Sequence, residues 1–377
     1  MKEFYSNHIN YRGMIMQAKI QDISKLLNQY RSSHQIPGLA ANMIVDGEVV
    51  YSQGFGTPHA ESPYNLIHAD TLFSTQGITE AFTACALVHL EEHSSFSLDT
   101  PVVEYLPYFE KEGFNKITTA HLLSHTAGFH EDYRIVPLLD EGIYNFVKNM
   151  PEYKDMTEKV TDIKDVRQKL SDREAVSKYL SEYSLNATPG KEFYYYSDAY
   201  MIAANVLEKV SGLSWEAYVS EHIFEPLGLK DTHINLPDVI DEKRTAKYYM
   251  KGIGDPIQTP TPHNSVGAPL GSIFSTAADL STFLKAQMTP DVFLSEAALK
   301  KMQAGQIKID DTTGYSLGWK TTELEGLNVI SQTGSYPGIS SSIAFIPDKN
   351  FGLVFLCNTD TIQLDKLAYR MIRRWFS

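Results

Sequence analysis

The sequence predicts an α/β fold in which an antiparallel sheet is built from both ends of the chain, flanked by helices, with a helical lobe inserted between the two contributions. A strong hairpin signal, Asp46-Gly47 between two short apolar runs, lies near the N-terminus. Further strand-like runs return only toward the C-terminus, in LNVISQTG, SSSIAFIPDKN and FGLVFLCN. Between them, from about residue 76 to 250, the apolar spacing is helical. Strands at both ends of a helical middle imply one sheet shared by the termini.

The elements follow in order. Residues 16–34 carry apolar side chains at helical spacing and are stopped by Pro37-Gly38, which predicts an amphipathic opening helix. LAANMIVDGEVVYSQGFG is then the hairpin. TEAFTACALVHLEEH, TTAHLLSHTAG, DREAVSKYLSEY and DAYMIAANVLEKVSG are helices of the middle lobe. Residues 138–176 are charge-rich and weakly patterned, as expected of a surface insertion: a solvated helical pair, or alternatively a flap over a site. Residues 252–271 are rich in Pro and Gly and form a long loop. FSTAADLSTFLKAQM is a helix opened by a Ser/Thr cap with Asp279 in its first turns, and DKLAYRMIRRWF closes the chain. The expected division is residues 1–75 with 265–377 as the sheet lobe, and 76–264 as the helical lobe.

Composition narrows the function. The chain has 33 basic against 46 acidic side chains, a net charge of -13, and no run of Lys and Arg longer than a pair. A phosphate backbone would be repelled, so no nucleic-acid partner is expected. No apolar run approaches the ~18 residues of a membrane span. The polar opening segment lacks the apolar core of a secretory signal, so a cytoplasmic location is expected. Cys85 and Cys357 each sit in apolar segments and read as buried side chains rather than a disulfide framework; no zinc-type spacing exists.

The ordered strings add up to a resemblance. DGEVVYSQGFG, LFSTQGITEAFTA, HLLSHTAGF, PGKEFYYYSDAYMIAANVLEKVSG, PLGLKDT, GSIFSTAADLSTFLKA, GYSLGW and TGSYPGISSSIAFIPDKNFGLVFLCN resemble, in sequence, the β-lactamase-related serine hydrolase family over residues 30 to 377. That family includes class C β-lactamases, penicillin-binding DD-peptidases and related esterases. The resemblance implies a β-lactamase/penicillin-binding-protein-like fold, with a pocket for a small-molecule ligand between its lobes and no cofactor. It also implies three motifs. In SxxK, a helix-borne serine attacks a carbonyl and a lysine one turn later helps remove its proton. In YxN or YxS, a tyrosine relays protons. In KTG or HxG, an edge strand orients the substrate and supplies part of the oxyanion hole.

A gapless match places the nucleophile position on Gly77 and the lysine position on Glu80. No serine anywhere in the chain is followed three residues later by lysine. PGKEFYY puts Tyr195 at the tyrosine position with Ser197 as the third member; Tyr196 with Asp198 is a competing register shifted by one. The third motif reads Gln332-Thr333-Gly334. Tyr195 and Glu80 are therefore the candidate catalytic residues, and Gly77, Ser197, Gln332, Thr333 and Gly334 the candidate substrate-binding ones. Glu80 has two readings, a general acid or base in the pocket or a helix-face carboxylate paired with a neighbour. Gly77 could open the helix N-terminus to an anionic or carbonyl group. His121 and His125 stand four apart, as metal-binding histidines on a helix do, with His130 nearby, but no Glu lies between them and HLLxHTxG is a structural block of the family. No metal is expected. The functional expectation is acid/base chemistry without a covalent intermediate, such as an isomerisation, elimination or cyclisation on a carbonyl-containing metabolite. An inactive homologue that binds a small molecule or protein partner, and a weak amide or ester hydrolase using water activated by Glu80, are the alternatives.

Overall fold

Asp46 and Gly47 both take positive φ, 53° and 80°, the conformation a two-residue turn needs if its twist is to match that of the strands it joins. They connect β1 (Gly38–Val45) to β2 (Glu48–Gly56). The rest of the sheet comes from the far end of the chain: β3 (Ile307–Lys308), β4 (Thr313–Tyr315), β5 (Lys320–Leu324), β6 (Leu327–Tyr336), β7 (Ile339–Ile346) and β8 (Phe351–Cys357). The order across the sheet is β2-β1-β8-β7-β6-β5-β4-β3, with every neighbouring pair antiparallel. This computed structural model describes residues 2–62, 64–129, 135–154, 160, 162–236, 242–251 and 255–377. His130 lies outside them, as do residues 155–159 and 161 of the charge-rich insertion.

β1, β7 and β8 are buried along their whole length, which explains the nearly continuous apolar sequences of β1 and β8; β7 also buries Ser340, Ser341 and Ser342. Successive side chains serve opposite faces. Leu39, Ala41 and Met43 pack with Leu27 and Ile23 of α1 (Lys2–Ser33), which starts well before the predicted residue 16. Ala40 and Ile44 join the opposite core. On that opposite face the helices are α2 (Ile78–His93), α3 (Ala199–Ser211) and α4 (Ala277–Met288). The closing helix α5 (Leu364–Phe376) joins α1, burying Leu367, Met371 and Ile372. Asn42, the one polar inward residue of β1, donates to Ala277 O and to Ser281 Oγ, both at 3.0 Å, fastening α4 to the sheet.

α2 is buried on nearly every side, from Ile78 to Val88, as a helix apolar around its whole circumference must be. It runs from the sheet into the helical lobe, so its first turn lies where the two meet. The charge-rich insertion contains short helices, Glu141–Val147 and Ile163–Lys169 among them. It is less solvated than its composition suggests, because Asp140, Ile143 and Val147 are buried. Arg173 anchors the Pro/Gly-rich loop: its guanidinium pairs with Glu208 and Glu216 and donates to the Ser265 and Val266 carbonyls at 2.6 and 3.1 Å. Among the described residues no helix is long and apolar enough to cross a membrane.

Candidate active site

The first turn of α2 meets β6 backbone to backbone. Gly77 has ordinary helical φ and ψ, -55° and -15°, so its dihedrals do not demand glycine. The close approach does: a Cβ on Gly77 would lie 2.4 Å from Thr333 O, well inside van der Waals contact. Gly334 is tighter still, since a Cβ there would meet Thr75 O at 2.2 Å and Ser341 Oγ at 2.5 Å. Packing is thus what requires a glycine at Gly334. It lines neither hollow at the site, and its missing side chain is what lets β6 lie against residues 75–77.

Glu80, one turn into α2, is 0% exposed. Four donors surround its carboxylate. The Tyr195 hydroxyl donates to Oε1 at 2.9 Å. Around Oε2 lie Gln332 Nε2 at 3.3 Å, the Tyr315 hydroxyl at 3.5 Å and His125 Nε2 at 3.4 Å. The Tyr196 backbone N–H donates to His125 Nδ1 at 3.2 Å, which places the ring proton on Nε2, facing Glu80 and the Tyr315 oxygen at 3.2 Å. Gln332 Nε2 also reaches Tyr315 Oη at 2.9 Å and Gly318 O at 3.1 Å. Burial, and then the Glu80 carboxylate beside it, push the Tyr315 hydroxyl well above the ordinary tyrosine range. The helix N-terminus adds a favourable dipole to a carboxylate in its first turn.

Tyr195 covers this network and is itself 39% exposed. Tyr196, the competing register, is buried and stacks on Phe129 with ring centroids 5.2 Å apart. Tyr195 is thus the one that reaches the cleft, a hollow of about 500 Å³ that Gly77, Ser197 and Thr333 also line. A smaller hollow of about 320 Å³ lies beside it, sharing Tyr195 and Thr333 and bordered by Phe193, Tyr315 and Gln332. Two expectations change here. Glu80 does not line the cleft, because Tyr195 and the other donors enclose it. Gln332 borders only the smaller hollow, its amide nitrogen being committed to Glu80, Tyr315 and Gly318.

The histidine pair splits. His121 Nδ1 accepts the Thr118 N–H at 3.2 Å and completes a capping box, whereas His125, at φ 55°, turns toward Glu80. Among the described residues, no group of three or more His, Cys, Asp or Glu is arranged to hold a metal ion. His125 and Tyr315 are the residues sequence reasoning did not place at the site. Their strings, HLLSHTAG and GYSLGW, carry the resemblance to the family, but nothing in their spacing reveals that they converge on Glu80.

The comparisons with known proteins fit this architecture. The family model described as Beta-lactamase matches residues 23–373. The chain is 23% identical over 353 residues to Protein flp of Staphylococcus aureus (strain MW2), covering 92% of this chain and 65% of that protein. It thus spans just under two thirds of that relative's length. It is 25% identical over 347 residues to Penicillin-binding protein 4 of Amycolatopsis lactamdurans, covering 87% of this chain and 82% of the relative. Among solved structures, the octameric penicillin-binding protein homologue from Pyrococcus abyssi superposes with a TM-score of 0.79 at 24% identity, covering 94% of this chain and 76% of the other. With a family model that spans nearly the whole chain, and with an antiparallel sheet, a buried helix starting against an inner strand and a tyrosine over that helix, the chain belongs to the Beta-lactamase family.

Proposed function

We propose that the chain carries out non-covalent acid/base chemistry, of the isomerisation, elimination or cyclisation type, on a small carbonyl-containing ligand bound in the cleft. The observation that carries this reading is the 2.9 Å hydrogen bond from the half-exposed Tyr195 to the enclosed Glu80. Of this pair, only Tyr195 reaches the ligand. Its oxygen takes a proton from the ligand while its own proton passes to Glu80, and the reverse transfer returns a proton to a different ligand atom. No ionised tyrosine is needed at any point. Gly77 brings no nucleophile, and Thr333 O stands where a side chain at that position would begin, which supports a reaction without an acyl-enzyme.

A purely binding role is the second reading, favoured by the fact that the Glu80 carboxylate already has four donors around it. The two separate as follows. Any small molecule that co-purifies is identified by native mass spectrometry, and its conversion is compared between the wild type and Tyr195→Phe. The proposed chemistry predicts loss of about 10²- to 10⁴-fold in turnover with the ligand still bound. A ligand that emerges unchanged from prolonged incubation with the wild type would leave only the binding role.

A further inference from the structure

The same cleft also holds a group of acidic side chains that the reading of Gly77, Tyr195 and Thr333 leaves unused. Asp140, Asp198 and Asp360 line it, each more than nine-tenths buried. Tyr336 lines it too, and its hydroxyl oxygen is buried with no hydrogen-bond partner among the described residues. Both Asp140 oxygens accept backbone N–H groups, from Ile143 at 3.0 Å and His263 at 2.7 Å. Those donors are neutral, so they orient the carboxylate without cancelling its charge, and each oxygen keeps a lone pair for a further donor. Among the described residues, no Lys, Arg or His lines the cleft, and none forms an ion pair with Asp140 or Asp360; backbone N–H groups, of Gly338 and Lys251 among them, hydrogen-bond to Asp360, and the Lys251 ammonium lowers its carboxyl less than they do.

Burial raises the carboxyl of Asp360 above its ordinary value. Burial, with Asp140 nearby, also raises the Tyr336 hydroxyl. These groups are costly as they stand, and what they lack is a donor carrying positive charge. A cationic nitrogen offers several N–H groups at once. It could donate to the Asp140 and Asp360 carboxylates and to the oxygen of Tyr336. A carboxylate or phosphate would meet buried like charge there.

We propose that the ligand of this cleft carries a cationic nitrogen, an alkylammonium or guanidinium, held by Asp140, Asp360 and Tyr336, while its carbonyl end lies at Tyr195. This rests on the acid/base reading for the position of the carbonyl, but the recognition of the cation stands apart from the chemistry.

The test uses the full chain and three probes matched in length, titrated by calorimetry or by nuclear magnetic resonance: 6-aminohexanamide, which is cationic, adipamide, which is neutral, and adipamate, which is anionic. The cationic probe is expected to bind about tenfold more tightly than either of the others. That preference should disappear in Asp140→Asn/Asp360→Asn and shrink in Tyr336→Phe, a variant that disturbs no hydrogen bond within the chain. Equal or tighter binding of the neutral or anionic probe overturns the proposal, as does binding of none of the three, or a cation preference that survives in both variants. Repeating the titration in Tyr195→Phe separates the two ideas. An undiminished cation preference there, in a wild type that performs no proton transfer, would leave the cation site standing and remove the acid/base reading.

Discussion

Beneath Tyr195 a buried carboxylate is surrounded by four donors, while in the cleft beside it a buried hydroxyl, that of Tyr336, has no hydrogen-bond partner among the described residues. Both regions lie between the sheet and the helical lobe, and both are rich in groups that are expensive to bury. The first is complete without a ligand: Glu80, His125, Tyr315 and Gln332 satisfy one another, so their geometry is set when the chain folds. The second leaves a polar group unsatisfied among the described residues, which is uncommon for a buried hydroxyl. Tyr195 stands between the two, hydrogen-bonded to Glu80 on one side and lining the cleft on the other.

The comparison can be broken most severely at Glu80. Glu80→Ala leaves several buried donors without an acceptor and should cost about 3–5 kcal/mol of stability, read from the urea unfolding midpoint at unchanged slope. A loss below about 1 kcal/mol would mean that the network is not the tight assembly inferred from its distances. Gly77→Ser tests the same region from the backbone side. It forces β6 away from α2, is expected to cost about 1–3 kcal/mol, and should not produce labelling by a fluorescent penicillin. A stable, labelled variant would show that the slot beside Thr333 O is open.

The smallest effects sharpen the contrast most cleanly, because they apply one chemical change at both places. Tyr315→Phe removes a hydroxyl that joins Glu80, Gln332 and His125 and should cost about 1–2 kcal/mol. Tyr336→Phe removes a hydroxyl with no partner and should be neutral or stabilising, by up to about 1 kcal/mol. Equal losses in the two variants would erase the distinction between the regions.

How much of this could be read from the chain alone follows from what each feature depends on. The hairpin at Asp46-Gly47, the helical middle and the returning strands are local patterns, and they lead to the sheet shared by the two ends. The positions of Gly77, Glu80 and Tyr195 came from motif spacing. The enclosure of Glu80 did not, because it is produced by Tyr315, 235 residues away in sequence, and by a histidine whose turn toward the site depends on a positive φ. Gly334 shows a related limit: spacing identifies the residue, but only packing reveals that a Cβ there would meet Thr75 O and Ser341 Oγ. Asp140 and Asp360 went unnoticed because they lie outside the motifs, where a single aspartate carries no signal until folding brings it to the cleft.

The central claim, that Tyr195 passes protons between the ligand and Glu80 without a covalent step, is tested most directly by solvent-deuterium incorporation. The chain is incubated in deuterium oxide with small enolisable ketones, hydroxyacetone and levulinamide among them, and the carbon-bound deuterium is followed by mass spectrometry. Incorporation catalysed by the wild type that falls at least about 10²-fold in Tyr195→Phe, with no mass added to the protein, is the predicted result. Incorporation that is absent from the wild type or unchanged in Tyr195→Phe, or a stoichiometric protein adduct with a fluorophosphonate, would contradict it.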